Sequence, residues 1–540
     1  MKLPTVFKNL CRARMRATIR GYMFLKRNGT LGLVRNIRND LAGRQLSVNG
    51  ENVSVRIFGA VVSQAEFAVR QYLLERLLGP DFNKCLMYAI GRHSSFAYPL
   101  PPEWRTAVAS HGIRVNGVLS GMMWHGYLCK HLIRGIYVLV EVLLKSLAYS
   151  FRGITPQGIY AYLYGLSGAN LPRLGASGVS YDICTWYASW KGRPANISLI
   201  AHGVAATEQR TQDLIVKFMP APYYLLKSMS EFVNLITCIF VAGIEAVISL
   251  MLGRWWNVLL FAESVRAQAV RLCSSERLPR DCLFHYSGSL YRPLWTYELE
   301  VKGERIISYF YSTYEQPKLP NKAYESQRGD WGPATWPLYL VWDKYQDEQL
   351  RRNISSRFRT IITGPIPFSN GANLVLSMPP EKSVAVFDIE AHRLSAHLPF
   401  STLGDYFATN PDCSKRFLED IQQVLAESGL VMAFKKKREI KSASKKSYKK
   451  LVEQLSEKSN VVIVPPEVSA MQLVGQCAAV ISMPFTSTAL YWRKQNIPSA
   501  YYDPSGWTQR SDRAAHGIPL LLSINELRQW ILNILIGSQQ

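Results

Sequence analysis

The chain has 540 residues, of which 48% are apolar and 19% charged, and its formal net charge is +24. At that length a single core gives way to two, and the composition excludes both a disordered chain and a polytopic membrane protein. The charge calls for an anionic partner such as a phosphorylated small molecule or a phospholipid surface; no nucleic-acid-binding motif accompanies it, so nucleic acid is not expected.

Residues 1–150 read as a basic region of mixed α/β and helical character. Its first 50 residues set Arg12, Arg14, Arg16, Arg20 and seven further Lys or Arg against one acid, Asp40. Apolar residues recur at helical spacing from Ala65 to Leu78, and Gly79-Pro80 reads as the stop. Leu132 to Phe151 is apolar but broken by Arg134, Glu141 and Lys145, which favours a buried or interfacial helix over a spanning one. The N-terminus lacks the apolar run of a secretory signal, and nine cysteines form no CxxC pair, as expected of a cytoplasmic protein with reduced thiols.

Residues 151–379 read as the remainder of an N-terminal domain. Short β-rich segments run from Tyr160 to His202, and a helical insertion covers about 212–272. Inside the insertion, Phe232 to Gly253 is long enough to cross a bilayer yet holds Glu245, and Arg254, Trp255 and Trp256 after it are types that settle at lipid head groups. Arg292 to Tyr314 reads as two strands about a turn at Lys302-Gly303. Two further strand-like runs, "PLYLV" and "RTIIT", flank a helix over Gln346–Arg352, and Pro365, Pro367, Pro379 and Pro380 mark a boundary near residue 380.

Residues 380–510 are more regular. The apolar runs "SVAVFDI", "LVMAF", "VVIV", "AAVIS" and "PSAYY" alternate with segments of helical spacing, the pattern of βαβ crossovers in a doubly wound parallel sheet. Residues 511–540 close the chain with a helix. Ligands of such sheets bind outside the carboxyl ends of the strands, so the residues there are the ones to inspect. Ser482 closes one strand; Pro484 then stiffens a turn, and Thr486, Ser487 and Thr488 put three hydroxyls at the start of a helix, where an anion meets unpaired N–H groups and the positive dipole end. A plain helix cap with extra hydroxyls is the alternative. Lys435, Lys437 and Arg438 stand at another strand end and suit a diphosphate or a carboxylate, while Glu467 and Ser469 follow a third, where Ser469 also fits a cap. P-loop, GxSxG, HExxH and GxGxxG patterns are missing, as is a DxD pair, so neither a metal nor a cofactor is expected.

The strings "RPLWTYELEVKGERIISYFYSTY", "PLYLVWDKYQ", "IITGPIPF", "VAVFDIE", "KKKR" and "ISMPFTSTALYW", in that order, resemble the bacterial polysaccharide biosynthesis PFTS-motif family over about residues 160–507. The resemblance implies an α/β fold of two Rossmann-like domains, GT-B-like; the basic N-terminus and the apolar stretches add the expectation of a helical N-terminal part that associates with membranes. It implies a glycosyltransferase that uses a nucleotide sugar as donor substrate, expected to be metal-independent because no DxD pair is present. The acceptor would be a growing cell-surface polysaccharide, capsule or O-antigen, or a lipid-linked oligosaccharide. Similar enzymes transfer sialic-acid-like sugars, which makes a CMP-linked sugar one donor to test. The N-terminal domain would then face the acceptor and residues 380–510 the donor, with the protein peripheral on the inner face of the plasma membrane at its anionic surface. Glu298, Glu300, His285 and Asp343 are the candidates for the general base that an acceptor hydroxyl needs. A non-catalytic scaffold of an envelope assembly system, or a nucleic-acid-binding protein, are the alternative readings.

Overall fold

The computed structural model describes residues 76–537 apart from intervals that include 152–159, 173–181, 286–291, 314–330, 368–378, 392–410 and 437–443, together with a few residues before 76. The basic residues Arg12, Arg14, Arg16 and Arg20, most of the run from Ala65 to Leu78, and His202, Lys437, Arg438 and Glu467 lie outside the described residues.

Two sheets organise the chain. The first joins β1 (Tyr160–Tyr164), β2 (Ser198–Ala201), β3 (Glu208–Arg210), β4 (Ile215–Phe218), β5 (Asp281–His285), β6 (Arg305–Tyr309), β7 (Leu338–Val341) and β8 (Arg359–Ile362) in the order β3-β4-β2-β1-β5-β6-β7-β8. Its pairs are parallel except β3 with β4 at the edge. The second joins β9 (Ser383–Phe387), β10 (Val431–Lys435), β11 (Val461–Val464), β12 (Ala479–Ser482), β13 (Ser499–Tyr502) and β14 (Leu520–Leu521) in the order β11-β10-β9-β12-β13-β14, all parallel. This is the expected α/β fold of two Rossmann-like units. Parallel neighbours need crossovers, and helices supply them.

Among the described helices, α1 (Pro80–Arg92), α2 (Gly117–Phe151) and α3 (Ile183–Trp190) precede or flank the first strands, with a shorter helix, Pro102–Ser110, between α1 and α2. Around the first sheet follow α4 (Met229–Met251), α5 (Phe261–Leu272), α6 (Trp295–Val301) and α7 (Lys344–Asn353). The second sheet has α8 (Pro411–Glu427), α9 (Lys446–Ser456), α10 (Ala470–Val474), α11 (Ser487–Arg493) and α12 (Ile524–Gly537). Leu527 and Ile531 of α12 share the core on one face of the second sheet with Ile421, Val424 and Leu425 of α8, and Arg528 pairs with Glu427 at 2.9 Å.

Gly79-Pro80 does follow the end of a helix, since Arg76 and Leu77 are helical and Leu78 is not, and it also opens α1: Pro at the first helical position loses only an N–H that has no intrahelical partner. Three local expectations are corrected. Trp295–Val301 is a helix, because the step from β5 to the parallel β6 needs a crossover; five consecutive buried residues, Trp295 to Leu299, had erased the periodicity that tells helix from strand. The helical insertion begins later than residue 212, since Ile215–Phe218 pairs with β2. Trp255 and Trp256 are 5% exposed, with Trp255 edge-on to Trp124 at 5.3 Å, so they belong to the core under α2 and not to a lipid boundary.

Candidate functional site

In each sheet the chain winds outward one way, returns to the middle and winds outward the other way. The point of reversal leaves a crevice outside the carboxyl ends of two neighbouring strands that no crossover covers. In the second sheet that point lies between β9 and β12, in the first between β1 and β5.

At the second crevice Phe387 ends β9, with Lys435 and Ser482 as its register partners on either side. Asp388 follows; it is buried and accepts a hydrogen bond from the Tyr448 hydroxyl at 2.5 Å. Past Ser482 the chain turns through Met483, Pro484, Phe485 and Thr486, closed by the Thr486 N–H donating to the Met483 carbonyl at 3.3 Å. Proline presets the first central position, and the second must adopt positive φ, which Phe485 does at 61°. A bulky residue there costs about 1–2 kcal/mol. Burial against Tyr501, ring centroids 5.8 Å apart, offsets the strain, and the Tyr501 hydroxyl donates to the Thr486 carbonyl at 3.2 Å. The turn therefore presents Thr486, Ser487 and Thr488 half-buried at the start of α11.

The three hydroxyls do different things. Ser487 Oγ reaches the loop after β6 in the first sheet: it meets Ser312 Oγ and accepts from the Thr313 N–H at 3.1 Å. Gln346, buried on α7, clamps that loop by donating to the Ser312 and Thr313 carbonyls at 3.1 and 2.6 Å. Thr486 Oγ1 is buried and makes no hydrogen bond, so the plain cap that would use it is not formed; Ser482 Oγ beneath it is in the same position. The carboxyl edges of the two sheets meet here. Nearby, Arg513 pairs with Glu348 at 3.3 Å, and His516 packs on Tyr345 at 4.5 Å with its Nε2 3.5 Å from Asp343 Oδ2. Phe485, Leu490, Tyr501 and Ile518 share one apolar core with the first sheet.

Lys435 is 9% exposed and donates to the carbonyls of Pro466 and Lys436 at 3.3 and 3.4 Å, so it ties the end of β10 to the loop after β11. Ser469 accepts from the Met471 N–H at 3.1 Å, the cap that was its alternative reading.

At the first crevice His285 ends β5 and its Nε2 lies 3.1 Å from the Gly165 carbonyl, just past β1. A carbonyl only accepts, so Nε2 carries the proton and Nδ1 is the basic nitrogen. Burial lowers the pKa of His285 below its usual 6.5, outweighing the carbonyl bond that raises it, and the ring is neutral at pH 7. Gly165 has φ +77°, and a Cβ there would stand 2.7 Å from His285 Nε2.

The other base candidates are already engaged. Asp343 caps α7, accepting from the Tyr345 and Gln346 N–H groups at 2.9 and 3.0 Å. Glu298 and Glu300 are corrected in position: they lie on the crossover helix α6 and not on a strand. Glu298 is buried and held by Arg271 through contacts of 2.7 and 3.2 Å, and Glu300 pairs with the buried Arg292. Ser312, Thr313, Gln346, Gly165 and Asp388 were not singled out from sequence; the one available signal was that they sit in or next to the strings "YSTY", "DKYQ", "YLYG" and "VFDI" at strand ends. Among the described residues no group of three or more His, Cys, Asp or Glu could hold a metal ion.

Comparison with solved structures finds matches at low identity and low TM-score. Os79 from O. sativa in complex with UDP is 12% identical, with a TM-score of 0.36 over 70% of this chain and 92% of that one. Trehalose-6-phosphate synthase OtsA is 9% identical, with a TM-score of 0.36 over 70% and 91%. The Methanocaldococcus jannaschii UDP-GlcNAc 2-epimerase in complex with UDP-GlcNAc and UDP is 9% identical, with a TM-score of 0.33 over 70% and 93%. No protein of curated function matches the chain. Residues 243–531, more than half of the 540, match the family described as polysaccharide biosynthesis PFTS motif protein, starting later and ending later than the strings alone indicated. The chain belongs to that family.

Proposed function

We propose that the protein is a glycosyltransferase that moves a sugar from a nucleotide-sugar donor to a growing cell-surface polysaccharide or a lipid-linked oligosaccharide. The observation that carries this reading is the meeting of the two sheets at their carboxyl edges, where Ser487 bonds to the loop of Ser312 and Thr313. Each edge there contributes a switch-point crevice, one suited to an anionic leaving group and one holding a neutral histidine.

In this reading the donor diphosphate lies at the second crevice, on the Thr486 and Thr488 hydroxyls and the unpaired N–H groups of the first turn of α11, with Lys437 and Arg438 offsetting charge that grows on the leaving nucleotide. Ser487 fixes the two edges in register. His285, neutral at pH 7, is the base that takes the acceptor hydroxyl proton as the bond to the sugar forms. Glu298 and Asp343, already in an ion pair and a cap, keep the first domain in shape.

Thermal-shift measurements on the full chain against CMP, UDP, GDP and TDP test the donor half and name its base. A rise in melting temperature with one nucleotide, followed by transfer of the matching labelled sugar, is expected. No shift with any of the four would remove the reading and leave the scaffold alternative.

A further inference from the structure

On the flank of the first sheet, α2 and α4 pack against α5 and leave long faces exposed. On α4 the outward residues include Ile236, Phe240, Ile244, Val247, Ile248 and Met251, and none of its exposed residues is charged: Glu231 is tied to Arg277, and Glu245 is half-buried. On α2 the outward residues include Ile133, Ile136, Tyr137, Val140 and Leu144; the exposed charges are Lys130 and Arg134, while Glu141 is bound to Lys145 at 2.5 Å. Between the helices runs a groove of about 510 Å³ lined only by apolar residues and floored by Phe261. Glycines on both helices make room for that ring: a Cβ on Gly135 would overlap Phe261 at 2.0 Å, and one on Gly243 would touch it at 3.3 Å.

We infer that this face is a membrane-binding surface, on which α2 and α4 lie in the head-group region of an anionic bilayer and the groove over Phe261 takes a lipid acyl chain. Charge complementarity selects the occupant. An apolar face whose exposed charges are all cationic matches anionic head groups above acyl chains. A second copy would set Lys130 and Arg134 against their own kind on a chain of net charge +24. The helices lie flat. By length and hydropathy α4 is able to span a bilayer, but Leu235, Ile239, Ala242 and Ala246 pack it on the protein, and α2 carries Lys130, Arg134, Glu141 and Lys145. The inference stands apart from sugar transfer, since its readout needs no donor.

Vesicle flotation of the full chain tests it, with phosphatidylglycerol-containing vesicles compared with pure phosphatidylcholine. The wild type is expected to float with the anionic vesicles. The double variant Phe240→Asp, Ile244→Asp is expected to lose binding to both kinds by at least about tenfold, and Lys130→Glu, Arg134→Glu to lose only the preference for phosphatidylglycerol. All four positions are exposed, and an unchanged melting temperature confirms that the variants fold. Failure of the wild type to float with either vesicle, or flotation of the aspartate variant like the wild type, would overturn the inference. So would a dimer in solution that the aspartate variant splits, which would assign the face to a second copy.

Discussion

Ser487→Ala removes one oxygen that touches the facing loop at Ser312 Oγ and, at 3.1 Å, the Thr313 N–H; its 3.5 Å approach to Thr313 Oγ1 is too long to matter. Thr313 is 2% exposed, so its N–H has no water to turn to once the acceptor is gone, and leaving it unpaired costs about 1–3 kcal/mol. Ser312 is half-buried, and its hydroxyl rotates toward solvent at little cost. Taking about 2 kcal/mol, any equilibrium between joined and separated edges shifts roughly 30-fold. The assay is kcat/KM for sugar transfer beside the Kd of the free nucleotide. If Ser487 holds the edges in register, kcat/KM falls by as much as about 30-fold while the nucleotide Kd moves less than about threefold, and Ser487→Thr recovers most of the loss. Ser312→Ala alone, and Ser312→Ala added to Ser487→Ala, should each cost little, because the Thr313 N–H and not the Ser312 hydroxyl carries the penalty. Wild-type kcat/KM in Ser487→Ala, or a loss in Ser312→Ala as large as that in Ser487→Ala, would refute the reasoning; a nucleotide Kd that rises in step with the loss of rate would return Ser487 to direct phosphate contact.

Thr486→Val replaces a buried hydroxyl that has no partner, so denaturant melts should show unchanged or slightly higher stability while transfer drops; unchanged transfer would remove Thr486 from the donor site. Glu298→Gln breaks the pair with Arg271, whose side chain reaches water, and should cost about 2–3 kcal/mol in chemical denaturation with the rate per folded molecule unchanged. Loss of rate at constant stability would instead make Glu298 a base. Gly165→Ala forces a Cβ at positive φ against His285, so it should cost about 1–2 kcal/mol and lower kcat. Because burial holds the His285 pKa below 6.5, the wild-type rate should be flat above neutrality and fall only as pH drops through that lowered value, and the inflection should move in Gly165→Ala. A rate profile with no inflection below pH 6.5 would rule out His285 as the base.

The second sheet was legible because its strands are short apolar runs set between helices that show a clear apolar stripe. Val461–Val464 follows α9, where Tyr448, Leu451, Val452 and Leu455 repeat at helical spacing, and no competing period blurs either. The first sheet was less legible because burial runs through consecutive residues of a short crossover, Trp295 to Leu299. Trp295–Val301 shows neither period, and Trp255 and Trp256 carry the chemistry of a lipid boundary while filling a core, since an indole suits both places.

The site divides the same way. The turn from Pro484 to Thr488 could be read locally, since strand, proline, hydroxyls and helix follow one another in sequence, and the structure puts the turn at a switch point. What the hydroxyls touch could not be read. The partner of Ser487 lies 175 residues away, and nothing in the composition near Ser312 distinguishes it from any other loop serine. The same holds for Glu298, whose meaning changes from base to structural anchor once Arg271, 27 residues earlier, is found opposite it. Residue type limits which chemistry a side chain can perform; the neighbour that topology supplies decides which it does perform. In this fold that decision falls at the two switch points, because there the chain reverses its winding and leaves strand ends uncovered. His285 and Thr486, coming from opposite sheets, are therefore the pair whose separate substitution should most cleanly divide acceptor activation from donor binding.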